Sequence, residues 1–91
     1  MFDLYFTNQF KKDYRKVSKS GEITLLDEVI DLLRQGLSLP EKFRDHALID
    51  SKKFKSQREC HIKPDWLLVY SVNNEKLVLT LTRTGSHSEL F

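Results

Sequence analysis

Cysteine, proline and glycine are all scarce in this 91-residue chain, and each scarcity removes a class of protein. The single cysteine, Cys60, cannot close an intrachain disulfide, so the chain is not a stapled secreted scaffold and a reducing, cytoplasmic home is the expectation. Three glycines leave no Gly-rich loop to cradle a phosphate. No apolar run approaches the roughly 18 residues a membrane span needs, and Met1–Phe6 lacks the basic and apolar regions of a signal peptide. No repeat or low-complexity tract interrupts residues 1–91, which read as one domain.

What is present is an ordinary soluble balance, 40% hydrophobic and 31% charged, which argues against disorder. The net charge of +2 says little until it is divided. Residues 8–19 carry Lys11, Lys12, Arg15, Lys16 and Lys19 against Asp13 alone, and residues 52–63 carry Lys52, Lys53, Lys55, Arg58 and Lys63 against Glu59. Each stretch is +4, and the acidic stretch 22–36 between them is −3. Basic segments on one surface are the footprint of phosphate binding, and they are equally the pattern of a solvated face. If the acidic helix faces away from both, the molecule has a phosphate-binding side.

Period-two alternation over 2–7 predicts a strand. Thr7 or Asn8 caps a helix over 9–19, with Phe10, Tyr14 and Val17 on one face and Ser20-Gly21 ending it. Helical spacing of Ile23, Leu26, Val29, Ile30 and Leu33 predicts a second helix over 22–36, with Gly36 at its C-terminal cap. Residues 38–56 read as irregular. Strands follow at 57–62, stopped by Pro64, at 66–72, apolar on both faces and hence central, and at 76–83 after an Asn73-Asn74 turn. The fold class is α+β, in the order β-α-α-β-β-β: two helices packed on one face of a small, largely antiparallel sheet whose other face is left for a ligand. Phe54 and Tyr70 are most simply core.

The three histidines, His46, His61 and His87, lie in loops or at strand ends beside Asp45, Lys63, Asp65, Arg83 and Ser86. Arg83 falls on the parity row of Leu77, Leu79 and Leu81. A guanidinium cannot continue an apolar row into a core, so either the strand has ended there or the sheet opens into a polar cleft. Trp66 and Phe91 offer aromatic surfaces for a base. A set of His, Asp, Arg and Lys suits metal-free cleavage of RNA, because RNA brings its own nucleophile in the 2′-hydroxyl. The protein then supplies a base, an acid and cations for the phosphorane. Zinc is disfavoured: Cys60 and His61 are adjacent and point to opposite faces of a strand, and no Cys-x-x-Cys spacing exists. Cys60 as a nucleophile is weaker still, being a lone thiol on the expected buried face.

From Asp45 onward the sequence resembles the YafQ branch of the RelE/ParE toxin superfamily. The resemblance is carried by Asp45-His46-x-Leu48, by Arg58-Glu59-Cys60-His61-Ile62-Lys63-Pro64-Asp65-Trp66 and the apolar run to Tyr70, and by Arg83-Thr84-Gly85-Ser86-His87-Ser88-Glu89-Leu90-Phe91. It implies a RelE-like fold and a toxin of a bacterial toxin–antitoxin pair that cleaves mRNA, usually in the ribosomal A site, with no cofactor or metal. It places the functional positions on His46, His61, Asp65, Trp66, Arg83, His87 and Phe91. In family terms His87 and His46 are the acid–base candidates, His61 and Asp65 lie near the scissile phosphate, Arg83 clamps the transition state, and Phe91 orients a base or ribose. Lys52, Lys53, Lys55, Arg58, Lys63 and Trp66 are the expected RNA contacts, and an antitoxin should cover this face. Other superfamily members bind a topoisomerase instead, and an RNA-binding module without chemistry is the remaining alternative. One departure stands out: relatives commonly have Leu-x-Gly after the first His, whereas Leu48 is followed here by Ile49-Asp50, so the His46 loop is expected to sit differently.

Overall fold

Thr7 ends the first strand and starts the first helix. Its side-chain oxygen accepts from the Phe10 N–H at 3.0 Å and donates to the Thr82 carbonyl at 2.7 Å. In the computed structural model, which describes residues 1–49 and 51–91, strand β1 spans Asp3–Phe6 and helices α1 and α2 span Asn8–Ser18 and Ile23–Arg34. Gly36 stands one residue past the α2 cap at φ +77°, a left-handed conformation that costs a glycine nothing. The Gly36 and Leu37 N–H groups close back on the Leu33 and Leu32 carbonyls, satisfying two of the helix's last acceptors.

The stretch expected to be irregular is partly ordered. A 3-10 turn occupies Glu41–Phe43, and His46–Ala47 forms a two-residue strand, β2. Strands β3 (Arg58–Lys63), β4 (Trp66–Asn73) and β5 (Val78–Gly85) follow. The sheet order is β1-β5-β4-β3-β2; β1 runs parallel to β5 and every other pairing is antiparallel. Asp50, beside the departure after Leu48, lies outside the described residues.

Two apolar clusters sandwich the sheet. The larger joins Phe10 and the α2 row Leu26, Val29, Ile30 and Leu33 to Cys60, Ile62, Leu68, Tyr70, Leu79 and Leu81. The smaller holds Leu67 and Val69 under Phe54 and Leu90. The face opposite the helices is therefore partly roofed. Its roof includes the short helix α3 (His87–Leu90), an element beyond the expected strand–helix order. Ser86 and Glu89 cap each other's backbone there, a signature legible as Ser-x-x-Glu.

The parity row drawn through Leu77 and Arg83 is corrected. Leu77 belongs to the turn, at φ +54° and half exposed. Tyr70 lies opposite Leu81 and Val69 opposite Arg83, so Thr82 is an unopposed bulge residue. The bulge moves Arg83 off the helix-side row and puts Thr84, 2% exposed, opposite Leu68.

Candidate active site

Strand register assembles the site. His46 pairs with Glu59, Glu59 with Val69 and Val69 with Arg83, so one cross-strand row runs over four strands. At ~4.8 Å per strand the row is about 14 Å long. His61, opposite Leu67, occupies the next row on the same face, and the His46 and His61 ring centroids are 6.3 Å apart.

Each end of the row is fixed by a carboxylate. Asp45 accepts from Arg58 at 3.2 Å and from the Tyr70 hydroxyl, which ties the start of β2 to β3 and β4. The Tyr70 hydroxyl is pushed up by burial first and the Asp45 hydrogen bond second. At the other end Asp13 of α1 holds Arg83 as a fork, Nε and Nη2 each 3.0 Å from a carboxylate oxygen, and also accepts the Thr84 N–H at 3.2 Å. The hydrogen bond to Asp13 raises the guanidinium above its ordinary value, so its charge is permanent.

Within the row, Glu59 is 6% exposed and its Oε1 lies 3.2 Å from His61 Nε2, while His61 Nδ1 is 3.3 Å from the Pro64 carbonyl. His46 is exposed and donates from Nδ1 to the Arg44 carbonyl at 2.7 Å. Asp65, in the turn after β3, accepts the His87 N–H at 3.4 Å. The His87 ring stacks on Phe91 at 5.0 Å, and Phe91 meets Phe54 edge-on at 5.4 Å.

The expected RNA-contact residues are dispersed. Lys52 and Lys55 line a shallow surface groove with Leu48 and Ser51. Lys53 donates to the Leu90 carbonyl at 2.9 Å. Arg58 is held by Asp45, and Lys63 pairs with Glu22 at 2.6 Å, so the acidic helix does not wholly face away from the basic stretch. The Trp66 indole donates to Thr84 and packs on the helix-side core. Cys60 is fully buried and its thiol is pushed up to about 12, chiefly by desolvation, which removes it as a nucleophile. Among the described residues no group of three or more His, Cys, Asp or Glu is placed to hold a metal ion. No helix is long and apolar enough to cross a membrane.

Two residues of this constellation escaped the sequence reading. Glu59 had a signal, since alternation places it on the His61 face. Asp13 had none, because its partner is 70 positions away.

Comparison with known proteins gives a consistent answer. Residues 2–91 match the family described as bacterial toxin of type II toxin-antitoxin system, YafQ. The mRNA interferase toxin YafQ of Escherichia coli B is 34% identical over 91 residues, covering 98% of this chain and 95% of that protein. A crystal structure of a metal-bound toxin from Helicobacter pylori is 40% identical over the whole of both chains, with a TM-score of 0.90. The E. coli DinJ-YafQ complex contains a chain 33% identical, with a TM-score of 0.86 and coverage of 100% of this chain and 99% of that one.

Proposed function

Since this chain belongs to the YafQ family of type II toxins, we propose that it is an endoribonuclease that cuts mRNA by transesterification, without a metal, on the ribosome in the cytoplasm. The observation that carries the reading is the cross-strand row, which lines up a histidine, a buried carboxylate and a fixed guanidinium beside a second histidine. A purely binding toxin has no need of that set.

The hydrogen bonds suggest roles. The Arg44 carbonyl can only accept, so His46 carries its proton on Nδ1 and presents a lone pair on Nε2, the form of a base. His61 faces acceptors at both nitrogens, and a proton on each satisfies both, the form of an acid or of a cation beside phosphate. Asp13 takes two of the five Arg83 N–H donors, leaving three for phosphate oxygens. The base removes the 2′-hydroxyl proton, the 2′-oxygen bonds to phosphorus, and the phosphorus–5′-oxygen bond breaks as an acid protonates the leaving oxygen. The products are a 2′,3′-cyclic phosphate and a 5′-hydroxyl. His87, exposed and stacked on Phe91, is the alternative acid, with the Phe91 ring oriented for a base or ribose. An antitoxin binds the chain in its inactive state, in keeping with the existence of the E. coli DinJ-YafQ complex, and on this reading it covers this face.

Primer extension on cellular mRNA after induction, and on a defined mRNA with and without ribosomes and with a chelator, tests the reading. Discrete cuts that survive the chelator and disappear in Arg83→Ala and His87→Ala variants are expected. A growth arrest without cuts would replace the nuclease with a binding toxin, and cuts lost to the chelator would overturn metal independence.

A further inference from the structure

β2 pairs with β3 only at Arg58 and Glu59, so from Cys60 onward the β3 edge away from β4 has no strand neighbour among the described residues. Beside that edge runs a cleft of about 380 Å³. Lys42 and Phe43 of the 3-10 turn and Arg44, which follows it, line one side, Leu25 and Glu28 of α2 another, and His61, Ile62 and Lys63 of β3 the third. The cleft meets the site at His61.

Its chemistry is that of a nucleotide. Lys42, Arg44 and Lys63 supply three cations against one lining carboxylate, Glu28. Lys42 and Arg44 are exposed at the rim, while Phe43 is half-buried against the core and stiffens the wall. The Lys42 ammonium sits 5.1 Å from the Phe43 ring centroid, which keeps it close to an apolar surface. Arg44 adopts φ +48°, a left-handed conformation unusual for a side chain other than Gly, Asn or Asp. That conformation serves two ends: the Arg44 carbonyl orients His46 and its side chain lines the cleft. One left-handed residue thus ties His46 to a cationic cleft, and such outliers cluster at ligand-binding sites.

We infer that this cleft binds one nucleotide of the RNA strand flanking the scissile phosphate, with its phosphate on Lys42 and Arg44 and its base over the apolar floor of Phe43 and Ile62. The inference rests on the reading of the protein as an RNA-cleaving toxin. Lys63 joins the phosphate by exchanging its pairing with Glu22.

The test uses a fully 2′-O-methylated RNA ten-mer, which lacks the nucleophile, so that affinity is read apart from cleavage. The Lys42→Ala/Arg44→Asn double variant keeps a residue tolerant of the left-handed backbone. Its Kd should rise about tenfold, and the slope of log K against log salt should fall by about 0.7, the value for one neutralised phosphate on a single strand. Lys42→Arg/Arg44→Lys should restore both. On unmodified mRNA the double variant should raise KM more than it lowers kcat. Unchanged affinity and slope in the double variant would overturn the subsite while leaving the nuclease reading intact, and so would failure of the wild-type protein to bind the ten-mer. Wild-type binding, weakened in the double variant, without cleavage of unmodified mRNA would do the reverse.

Discussion

Asp13 is one of the few buried charged side chains, and its two hydrogen bonds hold the Arg83 guanidinium in one place. A guanidinium on a flexible stem loses rotamer freedom whenever it grips a phosphate. Here α1 has already spent that entropy by holding two of the donors. Asp13→Asn preserves the shape but removes the charge and turns one acceptor into a donor facing Arg83. We expect single-turnover cleavage to slow about tenfold, corresponding to ~1.4 kcal/mol, with the thermal midpoint slightly lowered. An unaltered rate would show that the fork does not position Arg83. At this scale the sequence was half legible. Of the residues named from the motifs, Lys52, Lys53, Lys55, Lys63 and Trp66 are dispersed, while His46, His61 and Arg83 fall together on one face of the sheet. The residues that hold them, Asp13 above all, are set by three-dimensional proximity that spacing does not encode.

Helix α3 shows what a single turn can depend on. Four residues cannot sustain a helix by propensity, so the turn rests on its cap and on Leu90 packed beneath it. Glu89 is lowered to about 2, first by the hydrogen bond from Lys16 and then by the Ser86 backbone and side chain. A carboxyl depressed in the fold stabilises above its ordinary value of 4.5 and loses that contribution as pH falls toward 2. Across that window the His87 and Phe91 end of the chain should loosen before the sheet does, most visibly at low salt, where the exposed Lys16 pair is least screened. Amide exchange of residues 87–91 checks this; a turn as protected at pH 3 as at pH 6 would refute it. Long periodic elements were readable because burial repeats with the helix or strand period, and α1 and α2 lie within two residues of their expected ends. The Thr82 bulge was not, since nothing in Leu-Thr-Leu-Thr-Arg marks one extra residue.

For the whole molecule, the sheet carries apolar side chains on both faces, with Leu79 and Leu81 toward the helices and Val69 toward the site. Truncating Leu79, fully buried between α1, α2 and the sheet, should cost about 2–5 kcal/mol by opening a cavity. Urea denaturation of Leu79→Ala should show a lower midpoint with an unchanged slope; a shift under 1 kcal/mol would mean that the cluster repacks. The architecture itself was legible, because strands grouped after helices leave few ways to cover one sheet. The roof over the other face was not, since Phe54 and Leu90 carry no pattern that assigns them to it.

Strand β1 finds its neighbour only at the far end of the chain, where Thr7 bonds Thr82 across 75 positions. During synthesis at roughly 5–20 residues per second, β1 waits about 4–15 s for β5 to emerge. Asp13 waits almost as long for Arg83, 70 positions on. A nascent chain therefore has β1 unpaired and the Arg83 side chain unheld until β5 has emerged, so the sheet closes in one late step.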